Sequence, residues 1–572
     1  MKIVTVAEMR QIEAATDAAG TSYAQMMEHA GQAVARAIRD RTDVKGKRIT
    51  VLVGPGNNGG DGLVAGRVLA EAGAQVSFYL LKPRREDDEN FRRVREMGLF
   101  IADAQNDQRW RVLHQLVTHA DVIVDALLGT GTTRPLEGDL AQLLTQVKRS
   151  LKDRAEVRKY GAEAQGRPLT DPTLPPPPSL PVLIVAVDGP TGLNYDTGEL
   201  DPAALPADLT VTFAAPKVGH FRFPGAAAVG QLLIADIGVP PGLAEMEAVR
   251  LELATAEQVR AWLPPRPLDA NKATFGKALI VAGSANYTGA VALAASGAYR
   301  VGTGLVTLAL PGMIHPVVAS LVPEATFLLL PHDMGVLAPE ALKILSEQAI
   351  GYQAMLVGPG LGREKPTAEL LESLFGSPEH PSRKPPIGFR VAPEEPPAAQ
   401  PPLKLPPLVV DADGLNLLAE MEDWPRRLPL DTILTPHPGE MARLMKADKA
   451  EIQRDRIGTA QRMAAEWGHV VVLKGAFTVV AAPDGRTMVQ PFANPGLATA
   501  GTGDVLAGAI VGLRAQGLDA FEAAVCGAYL HGLAGELARR AKGTAGMTAR
   551  DVAEYLPEAV RRVEGEETGE KR

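Results

Sequence analysis

A chain of 572 residues is too long for one hydrophobic core, so about two to four domains are expected. Its 59 basic and 67 acidic residues leave a net charge of −8 with both signs mixed along the chain, which argues against nucleic acid as a partner. A single cysteine, Cys526, excludes an intrachain disulfide and a cysteine-based zinc site, and a reducing cytoplasm fits best.

The first twenty residues, "MKIVTVAEMRQIEAATDAAG", are amphipathic and lack a continuous apolar run, and no stretch approaches about 18 uninterrupted apolar residues, so neither export signal nor membrane span is expected. Strand-like runs follow at "ITVLV" (49–53), "VSFYLL" (76–81), "DVIVDAL" (121–127), "VLIVAVD" (182–188), "LTVTF" (209–213) and "QLLIADIG" (231–238). They alternate with helix-periodic segments, the pattern of a parallel sheet covered on both faces. Ligands of such sheets bind at the carboxyl ends of strands, and every unusual polar cluster of this block lies at one.

The clearest cluster is "GPGNNGGDG" (54–62), between a strand and a helix. A Gly-rich turn at a helix start offers unpaired N–H groups and the positive end of the helix dipole to a pyrophosphate. A tight turn with no ligand would need the glycines but not Asn57, Asn58 and Asp61, whose oxygens suit a sugar or a monovalent cation. Further strand ends carry "DALLGTGTTRPLEG" (125–138) and "VDGPTGLNYDTGE" (187–199). With "EMRQIEAAT", "MMEHAG" and "APKVGHFRFPGA", these segments resemble the YjeF amino-terminal domain, the NAD(P)HX epimerase family, over nearly all of residues 1–240.

That resemblance implies a Rossmann-like doubly wound domain over residues 1–245. It implies that Asn57, Asn58, Gly59, Gly60 and Asp61, together with Gly129, Thr130, Gly131, Thr132, Thr133, Arg134 and Pro135, cradle the hydrated dinucleotide. By the same likeness Asn58, Asp125 and Thr191 hold K⁺, and Asp188 is the acid/base residue. Inverting C6 of a hydrated nicotinamide needs the hemiaminal opened and reclosed, for which one carboxylate shuttling a proton is sufficient. Two positions depart from the family pattern: Gly189 stands in place of a branched aliphatic residue and Thr191 in place of serine.

After the linker "VPPGLAEMEA", a second alternating block runs from about Leu251 to Tyr555, with strands in "KALIVAG", "GLVTLAL", "AMLVGPG", "LVVDADG", "TILTPH" and "HVVVLKG". Two Pro-rich stretches, 170–181 and 394–407, read as exposed spacers, and the charged tail "EGEETGEKR" as frayed. In "NPGLATAGTGDVLAGAIVGL" (494–513) a G-T-G-D sequence opens a long apolar helix. The N–H groups of Thr502, Gly503 and Asp504 would form an anion hole beside a carboxylate, a loop fit to stabilise a transferred phosphoryl while Asp504 takes the proton of the attacking hydroxyl. A plain helix cap by Asp504 is the alternative.

With "NKATFGKALIVAGS", "VGPGLGR", "VVDADGLNLLA", "TPHPGEMARL" and "VVVLKGAFTVVAAPDGR", this helix resembles the YjeF carboxy-terminal domain, the ADP-dependent NAD(P)HX dehydratase family. The resemblance implies a ribokinase-like α/β domain over residues 250–560. Lys474, Gly475, Ala476, Phe477, Thr478 and Gly503 would then bind ADP with its Mg²⁺, and Ala278, Gly362, His437 and Asp504 the hydrate. Asn271 replaces the usual histidine of the opening motif, and Lys272 is retained.

The other signals are blander. His114 and His119 stand five apart and off one helix face, H-E-x-x-H and G-x-S-x-G are absent, and "KPRREDDENFRRVRE" (82–96) reads as a solvated helix face. The expected activity is repair of NADHX and NADPHX by a cytoplasmic homo-oligomer. A kinase of vitamin precursors, and a non-catalytic first domain that binds RNA or a partner, stay open as alternatives.

Overall fold

The computed structural model describes residues 1–131, 134–164, 182–376 and 405–565, with 156–164 described by their backbone. Chain contacts divide it into two compact units, Lys2–Val249 and Arg250–Arg572 with Met1.

In the first unit seven strands, β1 (Arg48–Val53), β2 (Gln75–Leu80), β3 (Phe100–Asp103), β4 (Val122–Ala126), β5 (Leu183–Val187), β6 (Leu209–Phe213) and β7 (Gln231–Ala235), form one sheet in the order β3-β2-β1-β4-β5-β6-β7. Every neighbouring pair is parallel. The β-branched runs form the central strands because each is covered on both faces, as the wholly buried residues of β4 and β6 show. The chain leaves β1 toward β2 and later returns on the other side of β1 as β4. That reversal opens a crevice at the carboxyl ends of β1 and β4.

Helix Asn57–Glu71 starts in this crevice, and its residues 58–66 are buried. Gly54 lets β1 turn into it, since a Cβ at Gly54 would stand 1.7 Å from the Leu127 carbonyl oxygen. No side chain caps the helix at Gly56.

The second unit is built on a ten-stranded sheet. Its strands are β8 (Leu251–Leu253), β9 (Lys277–Val281), β10 (Leu305–Pro311), β11 (Thr326–Leu330), β14 (Ala354–Val357), β15 (Leu408–Val410), β16 (Ile433–Leu434), β17 (Val470–Leu473), β18 (Val479–Ala481) and β19 (Thr487–Val489). A small ladder, β12 (His332–Asp333) with β13 (Val336–Leu337), stands apart from it. The order is β11-β10-β9-β14-β15-β16-β17-β18-β19-β8, parallel from β11 to β17, with antiparallel β17-β18 and β18-β19 pairs. Carboxyl ends of β14 to β17 thus lie side by side.

Helix Thr502–Ala515 packs backbone to backbone against helix Thr288–Arg300. A Cβ at Gly508 would come within 2.0 Å of the Ala294 carbonyl oxygen, so glycine is required for the approach. The buried alanines and valines of both helices form the centre of this unit's core. Among the described residues no helix is long and apolar enough to cross a membrane.

Three expectations need amending. β3, β8, β11, β18 and β19 are strands beyond those expected; β3 is a four-residue edge strand in which Phe100 is 53% exposed, and β11, "TFLLL", is an apolar run at the edge of the second sheet. The segment 82–96 is only partly a solvated helix. Helix Glu89–Glu96 is mostly exposed, but Arg84 folds back and donates from Nη1 to the carbonyls of Gly54 (2.7 Å) and Gly56 (3.1 Å) while pairing with Asp88 at 2.5 Å. Most of the two Pro-rich stretches and of the tail lies outside the described residues.

Candidate active sites at the strand ends

Asp188 directly follows β5 of the first unit with φ +65°, a left-handed conformation uncommon for a residue with a Cβ. Its carboxylate is buried. Lys217 Nζ donates to Oδ1 at 2.6 Å and Thr212 Oγ1 to the same oxygen at 2.8 Å. Lys217 is itself 1% exposed and also donates to Thr212 Oγ1 and to the Phe213 carbonyl. Burial is the largest single influence and works against the charge of Asp188, but the Lys217 ammonium, His220 and the Thr212 hydroxyl together hold the carboxyl below the usual range. Among the described residues no hydrogen bond ends on Oδ2, which leaves one oxygen of an ionised carboxylate free.

Two further acids respond in the opposite sense. Burial, then the charges of Asp188 and Glu13, push Asp61 well above the ordinary carboxylate range, and burial raises Glu13. Both line a cavity of about 530 Å³ with Asn57 and Phe213. Lys217 and Glu13 lie in "APKVGHFRFPGA" and "EMRQIEAAT", so the motifs contained them without indicating their charge relations.

Asp125, at the end of β4, accepts Thr191 Oγ1 (2.7 Å) and Leu127 N (3.3 Å) on Oδ1, and Thr191 N (2.9 Å) on Oδ2. Asn58 lies close by: a Cβ at Gly129 would meet its Oδ1 at 3.1 Å, and its buried Nδ2 has no partner among the described residues. The three residues expected around a cation are therefore gathered at the ends of β1, β4 and β5. Gly59, Gly60 and Asp61 are buried in the first helical turns and Asn57 is exposed at the helix start. Thr130, Gly131, Arg134 and Pro135 continue the loop after β4, where Gly131, Arg134 and Pro135 are exposed; Thr132 and Thr133 lie outside the described residues.

In the second unit Lys474 leaves β17 and donates to Asp411 Oδ1 at 2.6 Å, with Glu440 Oε2 at 3.7 Å. Asp411 also accepts Thr435 Oγ1 at 2.7 Å. Burial disfavours the ammonium, yet Asp411 and Glu440 raise its pKa on balance. Asp504 stands in the first turn of helix Thr502–Ala515, and no side chain caps that helix, so it is not a capping residue. Burial, followed by the charge of Asp411, pushes its carboxyl up to about 7 although Lys474 pulls the other way. Glu440 is likewise raised to about 7, chiefly by burial.

Gly503 faces the Lys474 ammonium, 3.5 Å from where its Cβ would be. Gly475, Ala476, Phe477 and Thr478 form the loop between β17 and β18, braced from behind by Arg456, which donates to the carbonyls of Ala476 and Leu473. His437 caps helix Pro438–Met445 by accepting the N–H groups of Gly439 and Glu440 on Nδ1; burial and nearby cations lower its pKa to about 4, so it stays neutral near pH 7. Gly362 donates its N–H to Asp413, whose charge reaches Asp504.

Ala278 does not join this group. It is the second residue of β9, fully buried in the core and toward the amino end of the strand, whereas the site lies at carboxyl ends. Sequence reasoning also missed His531, buried on helix Ala520–Lys542, whose Nε2 bonds the Thr502 carbonyl (2.9 Å) and steadies the G-T-G-D turn. His114 bonds Ser150, and His119 the Gln115 carbonyl, as ordinary surface histidines do.

Residues 23–219 match the family described as YjeF-related protein N-terminus, and residues 278–378 and 399–558 match the family described as NAD(P)H-hydrate dehydratase. The chain is 37% identical to the bifunctional NAD(P)H-hydrate repair enzyme of Moorella thermoacetica, covering 99% of this chain and 98% of that protein. It is 35% identical to that of Thermofilum pendens, over 98% and 96% respectively. A crystal structure of the ADP/ATP-dependent NAD(P)H-hydrate dehydratase of Bacillus subtilis, co-crystallised with ATP and Mg²⁺, matches at 30% identity with a TM-score of 0.44, covering 55% of this chain and 100% of that one.

Proposed function

We infer the reactions from the family to which this chain belongs, the bifunctional NAD(P)H-hydrate repair enzymes, and from the two sites. The first unit is an NAD(P)H-hydrate epimerase and the second an ADP/ATP-dependent dehydratase. One shared observation supports assigning the chemistry to Asp188 and Asp504. Each lies in a unit where a buried helix starts without a side-chain cap, and among the described residues no hydrogen bond ends on Asp188 Oδ2 or on the Asp504 carboxylate. Such a helix start receives phosphates, and such a carboxylate receives a proton.

In the first unit, Asp188 Oδ2 takes the proton of the C6 hydroxyl. The O–H electron pair becomes a C6=O bond as the C6–N1 bond breaks, and its electrons pass to N1 in conjugation with the carboxamide. The proton moves from Asp188 to N1. Rotation about C5–C6 and the reverse steps close the ring on the other face, so R and S interconvert with no net consumption. Lys217 keeps Asp188 ionised between turnovers.

Asn58, Asp125 and Thr191 fit a monovalent cation, since they offer amide, hydroxyl and carboxylate oxygens with one formal charge, and the unpartnered Asn58 amide is free to turn its oxygen inward. K⁺ held there would fix the loops that frame the dinucleotide, with Asn57, Gly59 to Asp61 and the loop from Gly129 to Pro135 around it.

In the second unit, Asp504 takes the C6 hydroxyl proton of the S hydrate as that oxygen attacks the β-phosphorus of ADP and AMP leaves. The N–H groups of Gly503 and Asp504 at the uncapped helix start stabilise charge on the transferred phosphoryl, whereas the Thr502 N–H expected to join them donates to the Thr499 carbonyl at 3.4 Å. Phosphate is then a good leaving group. The N1 lone pair expels it, the C6–O bond breaks, and loss of a C5 proton restores NADH or NADPH. Lys474 to Thr478 would hold the nucleotide, whose phosphates bring Mg²⁺ with them and have their charge neutralised by it. Gly362 and His437 border the hydrate.

A cytoplasmic setting agrees with these substrates and with the one buried thiol, Cys526. Exposed apolar residues on the second unit, among them Met313, Val317, Leu329 and Met334, support a homo-oligomer. Chromatography of a mixed R/S hydrate incubated with the chain and ADP tests the reading. Consumption of both epimers, with AMP and phosphate released, is expected. A stable phosphorylated product would instead favour a kinase, and an unchanged R epimer would remove the epimerase assignment.

A further inference from the structure

The cavity that Asp61 and Glu13 line draws its wall from both sides of β1. Phe213 comes from the end of β6, Asn57 and Asp61 from the Gly-rich helix start, and Asp88, Glu89, Asn90 and Arg93 from the segment after β2. Phe213 ties the cavity to the chemistry, since its carbonyl accepts Lys217 and its neighbour Thr212 donates to Asp188. Asp88 ties it to the Gly-rich turn through Arg84, which bonds the Gly54 and Gly56 carbonyls. Because the sheet runs β2-β1-β4-β5, the exit of β2, the helix start after β1 and Asp188 after β5 follow one another along its carboxyl edge. A dinucleotide carries its pyrophosphate midway between nicotinamide and adenosine. With the nicotinamide at Asp188 and the pyrophosphate at the helix start, the adenosine half falls beside the segment after β2.

That end of the cavity is acidic. Five carboxyls line the cavity, Glu13, Glu28, Asp61, Asp88 and Glu89, against the single cation of Arg93, and among the described residues no lysine joins them. Arg93 bonds Glu89 Oε1 and lies 3.9 Å from Glu28 Oε2. The cations around it are paired as well: Arg84 with Asp88, Arg85 with Asp87, and Arg67 with Glu28 and Glu71. Among the described residues no hydrogen bond ends on Glu89 Oε2 or on Asn90 Oδ1, and the Asn90 amide N–H meets only the Met27 sulfur, a weak acceptor.

We propose that this end of the cavity holds the adenosine ribose with its 2′-hydroxyl unphosphorylated and donating to Glu89 Oε2, so that the first unit epimerises NADHX in preference to NADPHX. The proposal rests on the epimerase reading above. A carboxylate after the second strand of a doubly wound sheet is suited to a ribose 2′-hydroxyl. A 2′-phosphate would bring a charge of about −1.5 to −2 against Glu28, Asp88 and Glu89 with every nearby arginine already paired, and such like charges repel. The pyrophosphate meets less opposition at the helix start, where burial raises Asp61 and Glu13 toward their protonated forms.

Initial rates of R/S exchange by the full chain, without ADP, are measured by chromatography for NADHX and for NADPHX. The value of kcat/KM should be at least about tenfold higher for NADHX, with the difference in KM, because the adenosine ribose is remote from C6. Glu89→Arg removes the acceptor and supplies an unpaired cation, and should bring the ratio to one or invert it; Glu89→Gln, which keeps the size and removes the charge, should lower it part of the way. Calorimetric melting shows that both variants are folded, as expected for a side chain 58% exposed. Equal use of the two hydrates by the unmutated chain, a preference for NADPHX, or a ratio that neither variant moves would overturn the proposal and leave the epimerase reading standing. Exchange of neither hydrate by the unmutated chain would overturn both.

Discussion

In the first unit Lys217 stands 2.6 Å from Asp188, the carboxylate assigned to the chemistry. In the second, Lys474 stands 2.6 Å from Asp411, and the carboxylate assigned to the chemistry, Asp504, has no such partner among the described residues. The two lysine–aspartate pairs have the same length and opposite consequences. Asp188 is held ionised and weakly basic, suited to a proton that must come off again at each reversal. Asp504 is left near pH 7, where it is a stronger base for a hydroxyl that attacks phosphorus once. A carboxylate's acid–base character is set here by which neighbouring acid receives the lysine, since all of these carboxylates are largely buried.

The largest test of this contrast removes each carboxylate in turn. Asp504→Asn should slow dehydration of the S hydrate by about a hundred- to ten-thousandfold while R and S still exchange. Asp188→Asn should give the converse, with S consumed and R persisting. Peak areas of the two epimers over time, with ADP in excess, read both outcomes. Clearance of R by Asp188→Asn at the unmutated rate would abolish the contrast.

Next in size is Lys217→Met, which leaves Asp188 buried without its cation. The first unit should lose about 3–5 kcal/mol of stability, measured by denaturant unfolding, because breaking a buried pair strands a charge. Restoring neutrality with Asp188→Asn in the same chain should recover part of that loss, and no recovery would mean that packing rather than charge is at stake.

The pH profiles sharpen the comparison further. Asp504 must be deprotonated to act, and its pKa of about 7 places an ascending limb in kcat/KM for dehydration there, close to tenfold per pH unit below 7 and level above. Asp188, lowered from the ordinary range, is ionised throughout pH 5–9, so epimerisation should show no such limb from it. Separate initial-rate profiles of the two reactions check this, and a shared limb would contradict it.

The smallest expected effect belongs to Lys474→Ala. Loss of one charged contact to the nucleotide should weaken ADP binding by about 2–3 kcal/mol in a calorimetric titration. Because Lys474 also neutralises Asp411, part of the change is the cost of leaving Asp411 unpaired. An unchanged dissociation constant would confine Lys474 to that pairing role.

The sequence alone determined the two α/β blocks, most of their central strands and the loops where chemistry gathers. Buried parallel strands are continuous apolar runs, and helix starts that bind anions need glycine and small polar residues at fixed spacing; both are local requirements written in adjacent positions. Thus "GPGNNGGDG" and "GTGD" could be placed at helix starts, and Asp188 and Asp504 at the ends of their elements, from neighbouring residues. Short edge strands such as β3 and β8 carry a weaker record, because three or four residues half open to solvent need no long apolar run. The tertiary structure alone decided who faces whom. Lys217 lies 29 positions from Asp188, Lys474 63 from Asp411, and Arg84 30 from the Gly54 carbonyl it holds. Nothing periodic links such residues, so their pairing, and with it the charge state of each carboxylate, arises only when the strand ends are brought together in a common crevice. The same holds for Ala278, which lies in one of the motifs yet is buried within its strand.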